Sequence, residues 1–531
     1  MTRVGTGYAA YEIVLRGGLA ADGSGTEPRR ADVGIAEGRV CAVGNLGGAV
    51  GAQEIDIRGR IVMPGFIDAH SHADALVDDP RVHEAYLRQG VTTVVVGQDG
   101  LGFAPVGDVG AAYTSRYFAA VDGRPRRGDH GQSVAEFLRS VDGAGPLNAA
   151  ALVPAGSVRA DIVGTSNRPA TAAEVAEMAS VIAEGMDDGA VGLSTGLEYV
   201  PGAFASAEET AALCAPVGAE GGVYVSHLRG YSRTRIPGAL EEAAYIGSAS
   251  GARVHVSHLH GAADVVESIL AALDEDRGVI PTFDSYPYLR GSTILGMLVL
   301  PAALQAGGAD HTLACLADPA VRRALRADIF PVNERISSIA LSFLADPSYR
   351  WAEGLSLQEA AERHGSDLTD FVCDALLACD LAVGCVVDNG ADRTEDDLRR
   401  LLRHPGHVAG SDAIFRGSAP HPRGWGTFSR LLRRHVRELG DWTWGEAAWH
   451  LSGHTAAVFG LGARGRVAED AIADLVVLDP ATVADTATYA DPVSPSVGVT
   501  HVLVDGQLVI DEGERTSARP GRGIRHERTA R

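Results

Sequence analysis

The sequence predicts an α/β protein: a (β/α)₈ TIM barrel with a small β-sandwich domain formed from both chain ends and an inserted lid segment. Three observations predict it. Apolar strand-like runs alternate with helical patterns through the middle of the chain, glycine-punctuated β texture recurs at the two ends, and one gap between candidate strands is too long for a single connection.

From Tyr11 to about Val62 the chain runs through EIVLRGG, ADVGIAEGRVCAVG and EIDIRGRIVM, short alternating strands broken by glycine and acidic turns. The same texture returns in ADLVVLDP and in VTHVLVDGQLVIDEG, where Asp505-Gly506 is a hairpin signal. Residues 1–63 and 456–531 are therefore expected to share the small β-sandwich, leaving 64–455 for the barrel. Its eight strands are expected to begin near Ile61, Val91, Leu147, Ala190, Gly222, Arg253, Val279 and His407. A helix over Ala172–Asp187, with Val175, Met178, Ala179, Ile182 and Met186 on one face, is typical of the segments between them. The stretch from Tyr288 to about His404 should hold the insertion, at about 290–400, beside the active end. The closing ERTSARPGRGIRHERTAR lacks apolar periodicity and is expected to be a solvated tail.

A chain of 531 residues suits one large domain with a smaller appendage, and 46% hydrophobic with 21% charged residues is a globular balance. The net charge of −22 repels phosphate backbones and anionic headgroups, so nucleic acid and membranes are not expected partners. With neither a secretory leader nor a span of about 20 apolar residues, the expected location is cytoplasmic. The cysteines at 41, 214, 315, 373, 379 and 385 form no C-x-x-C pair and are expected to be buried thiols without chemistry. All 46 basic residues are arginine. That excludes a P-loop lysine, a pyridoxal Schiff base and a carbamylated lysine bridging two metals.

The chemistry gathers at strand ends. His70 and His72 close the first candidate strand, and their i, i+2 spacing turns both imidazoles to one side, where they can share a metal. His227 in VYVSH, His258 in VHVSH and Asp412 in VAGSD each follow an apolar run, where a barrel places its catalytic side chains. Imidazole with carboxylate suits Zn²⁺ first and Mn²⁺, Co²⁺ or Fe²⁺ less readily. Such a centre activates water and polarises a carbonyl, and Asp412 would take the water proton and return it to the leaving nitrogen.

These motifs, together with GVTTVVVGQDGLGFAP, GAVGLSTGLEYVPG, FDSYPYLRGST and HPRGWGTFSR, resemble the amidohydrolase superfamily, and within it the N-acyl-D-amino-acid deacylases, over nearly the whole chain. The resemblance implies hydrolysis of N-acyl-D-amino acids, a small-molecule substrate, and one or two Zn²⁺ ions, with Mn²⁺ or Co²⁺ as substitutes. It implies a tight metal site at His227 and His258 and a weaker one at His70, His72 and Asp412. The family's cysteine after strand two is replaced by Asp99, in Gly97-Gln98-Asp99-Gly100; a carboxylate can serve as ligand there and is harder than a thiolate, and an acidic turn residue is the other reading. Tyr286 and Ser292 are implied to grip the substrate carboxylate. His260 stands where the family often has a lysine, and Pro154-Ala155 replaces its Gly-His pair. Arg290 and Arg423 are the candidate cationic contacts in their stead.

Two other enzyme classes fit less well. A cyclic-amide hydrolase normally needs the bridging lysine, and a deaminase needs an H-x-x-E helix where His258 is followed by Leu-His-Gly. A metal-poor binding protein is the alternative from outside enzymes, motivated by the changes at Asp99, Ala155 and His260.

Overall fold

The computed structural model describes residues 3–4, 7–8, 10–275, 278–329, 336–388 and 393–526. Eight parallel strands, Phe66–Asp68, Val91–Val96, Asn148–Pro154, Gly192–Gly196, Val223–His227, Arg253–Val256, Thr282–Ser285 and His407–Ala409, hydrogen-bond in chain order. The last meets the first through Ala69 N to Ala409 O (3.0 Å), Asp412 N to His70 O (2.8 Å) and a parallel bridge between Ser71 and Ala413. The sheet therefore closes into a barrel. Runs such as VTTVVV are buried throughout, as strands covered on both faces must be. The Ala172–Asp187 helix is one of the covering layer: a Thr171/Glu174 capping box starts it, and Met178, Ile182 and Met186 face inward.

The first expected strand proves to be two. Ile61–Pro64 pairs antiparallel with Leu475–Leu478, in a different sheet, and only Phe66–Asp68 enters the barrel. Pro64 has no N–H to donate, and a Cβ on Gly65 would lie 2.3 Å from Thr92 Oγ1, so the chain changes sheets at the one residue that fits. The receiving sheet has nine strands drawn from both chain ends, from Tyr11–Ala20 to Glu514–Arg515, with Leu15, Val33, Ile35, Val62, Leu475 and Leu503 in its own core.

Between the seventh and eighth barrel strands lies a three-stranded antiparallel sheet, Arg290–Ile294, Ala340–Leu344 and Val383–Asp388, the last in the middle. Helices including Leu357–His364 and Leu368–Ala378 give this segment a core separate from the barrel's. Cys373 and Cys385 are buried there, and burial pushes their thiols up to about 11 and about 12, far from reactivity. Cys41 and Cys315 depart from expectation: the first is exposed on the terminal sheet and the second is half-buried.

The C-terminal tail also corrects the sequence reading. Gly523 bridges Ala149 of the third barrel strand, Ile524 is buried, and Arg522 N donates to Asn148 Oδ1 (2.9 Å). Gly521 and Gly523 let the chain lie against backbone where any Cβ would collide. Residues 527–531 of the expected tail lie outside the described residues. No helix among the described residues is long and apolar enough to cross a membrane.

Two of the histidines are expected to contribute acid sensitivity to this fold. His450 and His454 point Nδ1 at the His407 carbonyl, at 2.8 and 3.2 Å, and stack on Trp442 and Trp449. Burial lowers both imidazoles from 6.5 to about 4. The unfolded chain therefore takes up protons first, and their stabilising contribution, complete above pH 6.5, is lost as pH falls from 6.5 towards 4. The melting temperature is expected to drop across that window, and a His450→Asn/His454→Asn variant, whose amide nitrogens stand where Nδ1 does, to drop less steeply. Equal slopes would place the acid loss elsewhere.

Candidate metal centre and active site

The site lies where the barrel strands end. His70 and His72 follow the first strand, Asp99 follows the second, His227 closes the fifth, His258 follows the sixth and Asp412 the eighth. Three of these residues occupy left-handed backbone: Asp99 (φ 56°), His258 (φ 34°) and Asp412 (φ 52°). Such conformations are uncommon outside glycine and gather where side chains must be aimed. The Asp99 turn is pressed between strands, since a Cβ on Gly97 would lie 2.4 Å from Leu152 O and one on Gly196 2.0 Å from Asp99 O. The two glycines beside Asp99 thus permit a close approach that brings its carboxylate inward.

The six side chains converge. Asp99 Oδ1 is 3.6 Å from both His70 Nε2 and His258 Nε2, and Oδ2 is 3.6 Å from His227 Nδ1 and 3.7 Å from His72 Nε2. Asp412 Oδ1 is 3.8 Å from His70 Nε2 and 3.3 Å from His72 Nε2. His227 Nδ1 and His258 Nε2 are 3.1 Å apart. Ligands of one tetrahedral cation, each about 2.1 Å from it, stand about 3.4 Å apart. His70 Nε2 and Asp99 Oδ1 are buried without a hydrogen-bond partner, and such orphaned atoms are what a cation would satisfy. The donor set therefore fits a metal centre, with His70, Asp99 and His258 as one trio and His70, His72 and Asp412 as another.

Outer carboxylates fix which nitrogen faces inward. His70 Nδ1 lies 3.4 Å from Asp284 Oδ2, His72 Nδ1 2.9 Å from Asp122 Oδ1, and His227 Nε2 3.2 Å from Glu198 Oε2. Asp284 also accepts the His258 backbone N–H (2.9 Å) and faces His255 Nε2 at 3.1 Å. Burial alone would raise the Asp284 carboxyl, but the His70 and His255 imidazoles outweigh it and hold it far below the carboxylate range. For Asp412, burial likewise acts upward and is overcome by the Arg423 guanidinium and His72, leaving its carboxyl lowered.

Of the six, His72, Asp99, His227, His258 and Asp412 floor a solvent-open cleft, walled by Tyr199, Tyr231, His260, Tyr286, Ser292 and Met297 among others. Of the expected substrate contacts, Tyr286, Ser292 and His260 line it; Arg290 and Arg423 do not. Arg290 begins its strand opposite Asp388, and its guanidinium lies 4.5 Å from the Tyr489 ring centre in a neighbouring cleft. Arg423 is fully buried behind Asp412: Nη1 is 2.8 Å from Asp412 Oδ2, Nη2 donates to the Ser292 carbonyl (3.1 Å), and the guanidinium covers Tyr286. His260 stacks on Tyr231 and faces the His258 carbonyl through Nδ1 at 2.9 Å; burial, with Arg393 nearby, keeps it well below the imidazole range and hence neutral. It does not replace a lysine's charge.

A sequence profile described as "Amidohydrolase family" matches residues 53–510. The chain belongs to the amidohydrolase family. This amidohydrolase is 33% identical to a D-aminoacylase of Alcaligenes xylosoxydans xylosoxydans, over 96% of this chain and 97% of that protein. A solved D-aminoacylase, described for its binuclear metal centre, superposes with a TM-score of 0.82 at 31% identity, covering 97% of this chain and all of that one. An N-acyl-D-glutamate deacylase from Bordetella bronchiseptica, solved with zinc and a phosphonate mimic of the tetrahedral intermediate, gives 0.82 at 32% identity, covering 97% and 99%.

The amidohydrolase holds three site residues that sequence reasoning missed. Asp284 follows the apolar run of the seventh strand, so the strand-end rule that found Asp412 applied to it as well. Glu198 lies just past the fourth strand, in GLEYVPG. Asp122, 50 residues from His72 in a loop, carries no local signal.

Proposed function

We propose that this amidohydrolase cleaves the amide bond of N-acyl-D-amino acids, giving a carboxylate and a free D-amino acid, with zinc as its first-choice metal. The observation that carries the reading is the convergence of four imidazoles, Asp99 and Asp412 on one cleft, in a chain that aligns end to end with D-aminoacylase. His70, His72, His227 and His258 would hold the metal with Asp99 and Asp412. When bound, it supplies Lewis acidity that polarises the amide carbonyl and makes water a nucleophile near neutral pH.

The chain's own groups do the rest. Asp412, ionised beside Arg423, accepts the proton of the attacking water and delivers it to the amide nitrogen as the C–N bond breaks. Asp122, Asp284 and Glu198 keep the imidazoles aimed. Tyr286 would orient the substrate carboxylate, joined by Ser292 once its hydroxyl, which here donates to the Cys385 carbonyl (2.8 Å), turns to the substrate. A binding protein without metal would leave His70 Nε2 and Asp99 Oδ1 buried and unsatisfied, which disfavours that alternative.

Protein reconstituted with Zn²⁺, Mn²⁺ or Co²⁺ is expected to hydrolyse N-acetyl- and N-formyl-D-amino acids, to leave the L enantiomers largely intact, and to stop when chelator removes the metal. Failure on every D substrate with metal bound would overturn the reading.

A further inference from the structure

Resting on the deacylase reading, we propose that the amino acid released carries a neutral, apolar side chain, and that N-acyl derivatives of acidic amino acids are poor substrates. Sequence identity does not decide this, because the D-aminoacylase and the N-acyl-D-glutamate deacylase are 33% and 32% identical to this chain. The lining of the cleft does.

Although the chain has 46 basic residues, no arginine lines the cleft among its described residues. The nearest cationic side chains are turned to other work or other spaces. Arg423 is buried against Asp412 and the Ser292 carbonyl, Arg235 is paired with Glu198 at 3.3 Å, and Arg290 and Arg393 line the adjoining cleft. The wall beside Ser292 is apolar instead. Val387 is the cross-strand partner of Gly291, and Met297 and Leu298 follow the same strand on the Leu295–Val299 helix; all three line the cleft half-buried. The wall's carboxyl group, Glu198, faces His227 and offers an acidic substrate nothing.

An acidic amino acid brings two carboxylates into this cleft. One has Tyr286 for company, and Ser292 if its hydroxyl leaves the Cys385 carbonyl; the second meets methionine, leucine and valine. Burying a charge against such a surface without a partner is strongly unfavourable, whereas a leucine or methionine side chain gains from the same contact. The three residues sit next to the strand that bears Ser292, and so face the substituent on the carbon bearing the carboxylate. The amide carbon, by contrast, must lie at the metal ligands on the cleft floor.

The test compares kcat/KM for N-acetyl-D-leucine, N-acetyl-D-methionine, N-acetyl-D-glutamate and N-acetyl-D-aspartate with metal-loaded protein. The neutral substrates are expected to lead by about a hundredfold or more. Met297→Arg, or Val387→Arg should the first fail to fold, is expected to shift the leucine-to-glutamate ratio at least about tenfold towards glutamate. Preference for the acidic substrates in the unaltered protein, or an unmoved ratio in a folded arginine variant, would overturn this inference and leave the deacylase reading standing. Turnover of none of the four would remove both.

Discussion

Asp412→Asn is expected to lower kcat by about 10³-fold with little change in KM, while the fold and the more tightly held metal persist. Asparagine matches aspartate in shape and still offers an oxygen to Arg423, but it cannot take a proton from water or give one to an amide nitrogen. The carboxylate is placed for both tasks: Oδ1 faces the His70 and His72 nitrogens, and Oδ2 pairs with Arg423 at 2.8 Å. Removing its charge leaves a buried guanidinium with its hydrogen bond to the Ser292 carbonyl and its contact with the Tyr286 ring, so some stability should be lost as well. Thermal denaturation and metal content, measured alongside turnover, separate loss of the base from loss of the fold. Turnover within tenfold of the unaltered protein would mean that another group moves the proton.

The candidate ligands His70, His72, His227, His258 and Asp412 were legible because each obeys a local rule, whereas Asp99 was found only through the resemblance. An apolar run ends, the next polar residue stands at the barrel mouth, and the i, i+2 spacing of His70 and His72 turns both inward. Residues whose roles are set by long-range packing were not legible. Asp122 reaches His72 from a loop 50 residues away, and nothing in VDG marks it. Arg290 lies inside the substrate loop, between Tyr286 and Ser292, and Arg423 in HPRGWG, so their charge suggested substrate contact. Their directions depend on partners elsewhere, Asp412 for one and the Tyr489 ring for the other. The fold follows the same division. Alternating and periodic runs gave the strands and the Ala172–Asp187 helix, whereas the change of sheets at Gly65 rests on contacts with Thr92 and Asp474 that no neighbouring residue predicts. The arginine-rich C-terminus has no periodicity because its packed part is held by backbone contacts and small residues.

Replacement of Asp99 should have an effect of similar size on metal binding. Its two oxygens face different histidine pairs, His70 with His258 and His72 with His227, so one carboxylate touches both halves of the cluster. Burial acts to raise this carboxyl, and His227 and the other imidazoles hold it well below its usual range, so it meets a cation as an anion. Asp99→Ala removes that charge and is expected to weaken the tighter metal by about 100-fold or more, read by metal analysis after dialysis and by calorimetric titration with Zn²⁺. Asp99→Cys should raise Zn²⁺ affinity relative to Mn²⁺ by about tenfold or more, because thiolate is softer than carboxylate. It should also lower stability by about 1 kcal/mol, since aspartate tolerates the left-handed backbone at φ 56° better than cysteine does. The two effects are separable, one in metal preference and one in melting temperature without metal. If metal content and preference stay unchanged in both variants, Asp99 is an acidic turn residue, and the cation is held by the histidines and Asp412 alone.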